Sequence, residues 1–373
     1  MGGFRLGYIF GIEIRIDYSW FIIFVLILWT LTVGVFPMEY PDLPASTYLW
    51  MGAAGTLLFF ASLLAHELSH SLVARSKGLP ADRITLFIFG GMAQTGSEFE
   101  SPRDELHVAG IGPVTSFALA ALFWLIHVGG VAMGWSPAVT GVAWYLYLIN
   151  LILAIFNLFP GFPLDGGRLF RAAVWHRTGD LTRATRVAAG GGKIFGLLLI
   201  VFGVLNLFAA NLIGGLWMIF IGWFVRMTAD ASYAQHLLTT ALEDVSVGQA
   251  MTRDPETVSP EPSIERFVEE HLFQGQHQGY PVTENGTPLG IITLDRIRQV
   301  DRNRWKERTV REVMMPIEEI GVVEPRQKMS EVLTQFRERG RNRILVVEDG
   351  KLVGIVTRTD VARWLERIRM LEG

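Results

Sequence analysis

The sequence predicts a polytopic α-helical membrane protein with about six transmembrane helices and short membrane-associated β-strands, followed by a soluble α/β domain. Half of the 373 residues are hydrophobic, and the mean hydropathy is +0.33. Of the 69 charged residues, 25 lie in residues 1–229 and 44 in residues 230–373. Long uncharged runs fill the first part, and the second contains two copies of one unit with helix-like and strand-like segments.

The composition also excludes several classes of protein. The formal net charge is −3, which gives no basis for nucleic-acid binding. The chain has no cysteine, so disulfides and thiolate metal sites are excluded. The first residues lack a basic region followed by a short apolar stretch and a small-residue cleavage site, so we expect no cleavable signal peptide.

Apolar runs of roughly 20 residues predict the membrane spans. Residues 194–225 contain no charge and are too long for one span. We predict two helices there, with a tight turn near 209–212 and the first helix starting before Lys193. The alternative is one long tilted span, which would give five spans in total. The other predicted spans are residues 18–36, about 48 to the HELSH motif, 106–128 and 142–160.

The distribution of Lys and Arg predicts the orientation of the spans. Both basic connections, 75–105 and 166–193, alternate with connections that contain no Lys or Arg, 37–47 and 129–141. Six spans in the cell membrane then place both termini in the cytoplasm. With five spans, the C-terminal part would lie on the opposite side.

The second predicted span ends in HELSH, where His66 and His70 are spaced four apart and project from one helix face. Two imidazoles in that arrangement can bind one zinc ion, and Glu67 can hold a water beside the metal. The alternative is a pair of core histidines with a helix-terminal glutamate. Ionisable residues in a membrane helix are costly, which favours a functional site.

A catalytic zinc usually has three protein ligands. The fourth predicted span ends in NLFPGFPLDGGR (157–168), whose carboxylate is Asp165. The second and fourth spans run in the same direction, so HELSH and LDGG reach a similar membrane depth. Pro160 and Pro163 break the helix there.

HELSH in an early span and N-x-x-P-x-x-P-L-D-G-G in a later one resemble the site-2 protease family of intramembrane zinc metalloproteases, peptidase family M50. The resemblance covers residues 1–229. It implies one Zn²⁺ per chain bound by His66, His70 and Asp165. It also implies Glu67 as the catalytic base and Asn157 as a contact to the substrate or the oxyanion. The family often has Asn after Gly-Pro in the third span; here Ser116 stands there, so a polar role at this position stays open.

Two segments of the membrane part predict strands. Residues 7–17 alternate apolar and polar side chains from Ile12 on, which predicts a short strand at the membrane edge. RITLFIFGGMAQT (83–95) predicts a strand interrupted at Gly90 and Gly91, whose edge an extended substrate can pair with. Phe89, Gly90 and Gly91 are therefore candidate substrate contacts. The alternative is a purely structural re-entrant strand.

After a linker at 230–243, residues 244–303 and 309–368 are two copies of one unit, offset by 63 to 64 residues. Each predicts a helix, two strands joined by a turn, and a second helix. The repeat resembles a CBS-domain pair, which implies binding of adenine nucleotides (ATP, ADP or AMP). The T-x-x-D element is intact at Thr357 and Asp360. In the first copy Thr293 is followed by Asp295, one position early, so one nucleotide site is expected. The alternative is a dimerisation module without ligand, which forms a homodimer.

The combined resemblances imply a zinc-dependent intramembrane endopeptidase regulated by its CBS pair. Its partners would be the lipid bilayer and a membrane-spanning protein substrate; related proteases cleave anti-sigma or precursor sigma factors. No nucleic acid is expected as a partner. Two alternatives are an ion transporter or channel with regulatory CBS domains, and an inactive membrane scaffold.

Overall fold

The computed structural model describes residues 3–95, 99–209, 211–242, 245–272, 277–338 and 342–364. The chain divides into two compact units, Met1–Ala234 and Gln235–Gly373. The predicted start of the first repeat at 244 and the predicted end of the second at 368 lie outside the described residues, as does residue 210 in the predicted turn.

Long helices dominate the first unit. A π-helical segment, Thr30–Val35, joins the first two. The helices are α1 (Trp20–Trp29), α2 (Phe36–Glu39), α3 (Ala45–Ser76), α4 (Pro102–Ala132), α5 (Pro137–Asn157), α6 (Asp165–Thr178), α7 (Leu181–Phe208) and α8 (Leu212–Ala241).

Within the described residues, six helical segments are long and apolar enough to cross a membrane. The prediction of two helices between 194 and 225 is confirmed, and the single long span is wrong, because α7 ends at Phe208 and α8 begins at Leu212. Glycines let these two helices pack closely. A side-chain carbon on Gly203 would collide with the Gly215 backbone, and one on Gly196 with that of Gly222.

The remaining spans are Trp20–Glu39, α3, α4 and α5, close to the predicted ranges. Helix α4 begins with a local signal that its sequence specifies. The Ser101 hydroxyl accepts a hydrogen bond from the Asp104 backbone N–H at 3.2 Å, and Pro102 occupies the first helical turn.

Helix α6 was not predicted. The connection after α5 contains a helix from Asp165 to Thr178, which ends at Gly179 with φ 69°.

A four-stranded sheet adjoins α3, in the order β1-β2-β3-β4. Its strands are β1 (Gly3–Ile9), β2 (Ile12–Asp17), β3 (Ala81–Phe87) and β4 (Gly90–Thr95). The buried side chains Ile12, Ile14 and Ile84 pack with Phe60 and Leu63 of α3. Strands β2 and β3 are parallel, and the two outer pairs are antiparallel.

The strand predicted from Ile12 is confirmed as β2, whereas the single strand predicted over 83–95 needs correction. The strand from Ile12 is half of a hairpin, whose partner β1 is mostly exposed and therefore has no clear alternation of apolar residues. The predicted strand 83–95 is also a hairpin, because the chain reverses at Ile88 and Phe89 and Phe87 pairs with Gly90. Gly90 has φ 136°, a conformation that side-chain-bearing residues rarely adopt. Because β4 is the last strand in the order β1-β2-β3-β4, it is an edge strand.

The second unit contains two related hairpins. Strands β6 (Gly279–Glu284) and β7 (Thr287–Thr293) join through Asn285-Gly286, and β10 (Arg343–Glu348) and β11 (Lys351–Thr357) join through Asp349-Gly350. All four turn residues have positive φ, as type I′ hairpin turns require. The remaining strands are β5 (Thr252–Arg253), β8 (Met315–Pro316) and β9 (Val322–Val323).

The two copies exchange short strands. Strand β5 of the first copy pairs with β11, and β8 of the second copy pairs with β7. The sheets are β5-β11-β10-β9 and β6-β7-β8. The short helices of this unit are α9 (Val247–Ala250), α10 (Ile264–Phe267), α11 (Leu294–Arg298), α12 (Val310–Val313), α13 (Ile317–Ile320) and α14 (Met329–Glu338).

Candidate metal centre

His66 and His70 occupy one face of α3, as their spacing predicts. Their rings meet edge to face with centroids 4.9 Å apart, and their Nε2 atoms lie 3.3 Å apart. His66 is buried and His70 half-buried. Both Nε2 atoms therefore face the same small volume.

Asp165, the first residue of α6, reaches the same volume from a segment 95 positions later. Its Oδ2 lies 3.1 Å from His66 Nε2 and 3.2 Å from His70 Nε2. The following glycines allow this close turn, since a side-chain carbon on Gly166 would collide with the Leu158 backbone and one on Gly167 with that of Gly161.

The three donor atoms fit a tetrahedral zinc ion. With zinc–ligand bonds of about 2.0–2.1 Å, neighbouring ligand atoms lie about 3.3 Å apart. The three separations here are 3.1, 3.2 and 3.3 Å. Two imidazoles and one carboxylate leave the fourth tetrahedral position open, as catalytic zinc sites do.

The second nitrogen of each imidazole is also held. His70 Nδ1 donates to the Val108 carbonyl at 2.6 Å, and His66 Nδ1 lies 2.9 Å from the Ser116 hydroxyl. A partner on Nδ1 fixes the tautomer that turns the Nε2 lone pair towards a metal. Ser116, whose polar role the sequence left open, is therefore a hydrogen-bond partner of His66. Core histidines would not require this paired arrangement.

Val108, Gly112 and Ser116 form one face of α4, spaced four residues apart. Gly112 lies directly against the two rings: a side-chain carbon there would collide with His70 and lie 2.8 Å from His66 Cε1. This face was not predicted from the sequence, although the four-residue spacing of Val108, Gly112 and Ser116 within a predicted span indicates it.

The donor set also suits a divalent cation. Neutral imidazoles and a carboxylate are the forms in which these side chains bind metal.

Glu67 lies between the metal-facing histidines and the edge strand. A side-chain carbon on Gly91 would collide with the Glu67 side chain, so β4 approaches Glu67 at a residue that has no side chain. Asn157 ends α5 and is half-buried; among the described residues, its side chain makes no hydrogen bond. The Phe89 ring stacks on Phe224 of α8, with 3.7 Å between centroids.

In the second unit, Thr357 and Asp360 contact each other. The Thr357 hydroxyl and backbone N–H donate to Asp360 Oδ2 at 2.6 and 2.8 Å. Thr252, on the exchanged strand β5, donates its hydroxyl to Asp360 Oδ1 at 2.7 Å. In the first copy the Thr293 hydroxyl accepts from the Arg296 backbone N–H, as the Thr357 hydroxyl does from that of Asp360, but Arg296 offers no carboxylate.

The sequence patterns of known families match both units. The pattern of peptidase family M50 matches residues 54–137 and 130–203, and the CBS-domain pattern matches 246–303 and 310–367. Rip3 of Mycobacterium tuberculosis is 36% identical over 369 residues, which cover 98% of this chain and 94% of Rip3. The chain belongs to peptidase family M50.

A second relative agrees with this family. Zinc metalloprotease MJ0392 of Methanocaldococcus jannaschii is 31% identical over 375 residues, which cover 99% of this chain and 97% of that protein. The site-2 protease structure from the same organism is 27% identical, with a TM-score of 0.44, and the match covers 62% of this chain and 95% of that one. The chain is an M50 member whose described residues include six helical segments that are long and apolar enough to cross a membrane. It is therefore an intramembrane zinc metalloprotease with a CBS pair, and the transporter and scaffold interpretations are not retained.

Proposed function

We propose that this chain hydrolyses a peptide bond in or near the transmembrane segment of a membrane-spanning protein, near the cytoplasmic face. His66, His70 and Asp165 hold the zinc ion in this proposal. One observation carries it: three donor atoms from two distant segments lie 3.1–3.3 Å apart. Glu67 and the edge strand β4 adjoin this triangle, which gives a membrane substrate a place to bind beside the metal.

The chain's own groups supply the remaining chemistry. When bound, zinc polarises the scissile carbonyl and lowers the pKa of a neighbouring water. Glu67 accepts the water's proton and passes it to the leaving amine. The Asn157 amide donates to the carbonyl oxygen as negative charge develops there. The backbone of β4, with Gly90 and Gly91, pairs with the locally unwound substrate and holds it extended.

The first test separates the proton acceptor from the metal ligands. Glu67→Gln keeps the size of the side chain but removes the base, so we expect cleavage to fall at least 100-fold, the lower part of the range for general-base catalysis, with zinc content unchanged. Asp165→Asn should lose zinc as well as activity. Glu100→Gln, at an exposed position, is the matched control. Cleavage and zinc per chain are measured in vesicles that contain tagged single-span proteins, and full activity of Glu67→Gln would contradict the mechanism.

The substrate in this proposal is a membrane-tethered regulator, of the class that includes anti-sigma and precursor sigma factors. The resemblance to site-2 proteases supports this choice. The Glu67→Gln variant should trap such a protein, because it keeps the metal site and the β4 edge. Membrane proteins that co-purify with this variant, but not with Asp165→Asn, identify candidates. Each candidate must then be cleaved by the wild type.

The CBS pair is proposed to bind one adenine nucleotide at Thr357 and Asp360 and to change the rate of proteolysis. The Asp360 carboxylate accepts hydroxyl groups from Thr357 and Thr252, and a ribose presents hydroxyl groups too. Calorimetric titration of the full chain with ATP, ADP and AMP tests the proposal, with Asp360→Asn as the comparison. No heat and no thermal shift at millimolar nucleotide would favour the homodimer alternative, which mass measurement in detergent then tests.

Both termini are proposed to lie in the cytoplasm. Six apolar segments and the basic 166–193 connection support this orientation. A reporter fused after Asp230 should be active only in its cytoplasmic form. A reporter active outside the cell would contradict the orientation.

A further inference from the structure

A buried ion pair joins α4 to α6 close to the metal centre. Glu105 is fully buried in the first turn of α4, and the Arg171 side chain on α6 is 12% exposed. Glu105 Oε1 accepts a hydrogen bond from Arg171 Nε at 2.7 Å and a second from an Arg171 terminal nitrogen. The guanidinium therefore binds this oxygen with two of its donors, a geometry that a lysine cannot reproduce.

The same guanidinium fixes the loop that leads to Asp165. It lies 5.2 Å from the centroid of the buried Phe162 ring, three residues before Asp165. The Phe162 backbone N–H in turn donates to the Ala188 carbonyl of α7 at 3.1 Å. Arg171 thus holds both the approach to α6 and α6 itself.

Helix α6 transmits this constraint to the third ligand. Arg171 lies six residues after Asp165, about 9 Å along a helix that rises 1.5 Å per residue. Asp165 is the first residue of that helix, so any rotation or shift of α6 moves its carboxylate. The donor atoms are only 3.1–3.2 Å apart, which leaves little room for such a movement.

Helix α4 contacts the other two ligands along the same face. Glu105, Val108, Gly112 and Ser116 follow one another at intervals of three, four and four residues, which places them on one side of the helix. Val108 and Ser116 hold the two histidines, and Glu105 holds α6. One helix thereby sets the distance between the histidines of α3 and the aspartate of α6.

We propose that Glu105 and Arg171 are positioning residues of the metal centre, which clasp α6 to α4 so that Asp165 reaches the His66–His70 pair. This role rests on the proposed zinc site. In this proposal both residues act through the helices that carry the ligands and their hydrogen-bond partners. The competing explanation is that the ion pair only stabilises the fold.

Zinc affinity of the full-length chain in detergent tests the clasp. Glu105→Gln keeps the size of the side chain and removes its negative charge. Arg171→Lys keeps the positive charge and removes the planar guanidinium with its two donors to Glu105. Each should weaken zinc binding 10- to 100-fold in chelator competition, the range known for groups that orient metal ligands. Arg177→Lys, an exposed position on the same helix, should bind zinc as the wild type does.

Two readouts separate positioning from stability. Cobalt(II) bound in place of zinc reports ligand geometry, so its visible bands should change in both clasp variants and not in Arg177→Lys. Thermal unfolding of the metal-free proteins measures the stability that is lost when one partner of a buried ion pair is removed, so that this loss can be compared with the loss of zinc affinity. Two results would overturn the proposal. One is unchanged zinc affinity in both variants. The other is weaker zinc binding that parallels the loss of metal-free stability while the cobalt spectrum stays unchanged.

A measurement without metal keeps the clasp testable if the zinc site itself fails. The chain has no native cysteine, and a side-chain carbon at Gly110 of α4 would lie 3.7 Å from Leu169 Cδ2 of α6. Oxidative cross-linking of a Gly110→Cys, Leu169→Cys pair therefore reports docking of α6 on α4. It should slow several-fold with either clasp substitution, and unchanged cross-linking would overturn the clasp. A wild type that binds no zinc but shows this slowing would contradict the proposed function and leave the clasp standing.

Discussion

Replacing Gly112 by alanine should remove zinc without unfolding the protein. The added carbon would collide with the His70 ring and lie 2.8 Å from His66 Cε1, which is 0.6 Å short of ordinary van der Waals contact at 3.4 Å. Since α4 is a 31-residue helix that packs against α3, α5 and α6, the imidazoles must move instead. Metal sites tolerate distance changes of about 0.2 Å. We therefore expect zinc affinity to fall 100-fold or more, which is at or beyond the largest loss of affinity usual for mutations of residues that orient metal ligands.

Gly110→Ala is the matched control, because it makes the same change two residues earlier in α4. Its added carbon would meet only Leu169 Cδ2, at 3.7 Å, an ordinary contact. Alanine in a helix interior is otherwise more favourable than glycine by roughly 0.5–1 kcal/mol. Gly110→Ala should thus keep both zinc and stability.

Chelator competition and elemental analysis of the purified proteins give zinc affinity and zinc per chain, and circular dichroism gives helix content. The expected result for Gly112→Ala is native helix content with little or no zinc. Full zinc occupancy in Gly112→Ala would refute the packing argument, because it would mean that α4 or the rings can move apart without cost to the site.

Three further substitutions test neighbouring contacts. Gly91→Ala should displace Glu67 and lower cleavage about 100-fold, the cost of a misplacement of about 1 Å, with zinc content retained; unchanged cleavage would argue against the close approach of β4. Ser116→Ala should weaken zinc binding 10- to 100-fold, because it removes the hydrogen-bond partner of His66 Nδ1. The control is Thr115→Ala, which removes a hydroxyl that donates to the Ile111 carbonyl of the same helix and should leave zinc affinity unchanged. Equal zinc affinities of the two variants would contradict the role of Ser116. Thr252→Val should lower the free energy of unfolding of the second unit by about 1.5–3 kcal/mol, the value of a hydrogen bond to a charged group. Urea unfolding of the full chain measures this change. A change below the experimental error would show that Arg363, 3.2 Å from the same Asp360 oxygen, stabilises the carboxylate without Thr252.

Local patterns in the sequence predicted much of this structure. Uncharged runs gave the number of spans because a bilayer sets their length. Asn285-Gly286 and Asp349-Gly350 predicted two hairpins because only such residues adopt positive φ at both turn positions without large strain. Strand β1 and helix α6 were missed because exposed or largely polar segments carry little apolar periodicity.

The sequence predicts, through the helical period alone, that His66 and His70 share a helix face. It also supplied Asp165 as a candidate, through a motif and a matching membrane depth. It does not specify that the three donors lie within 3.3 Å of one another, that Ser116 holds His66, or that Glu105 and Arg171 join α4 to α6; the folded chain shows these contacts. Apart from the His66–His70 contact, these contacts join residues 50 to 99 positions apart. No local periodicity constrains such distances; the packing of helices against one another does.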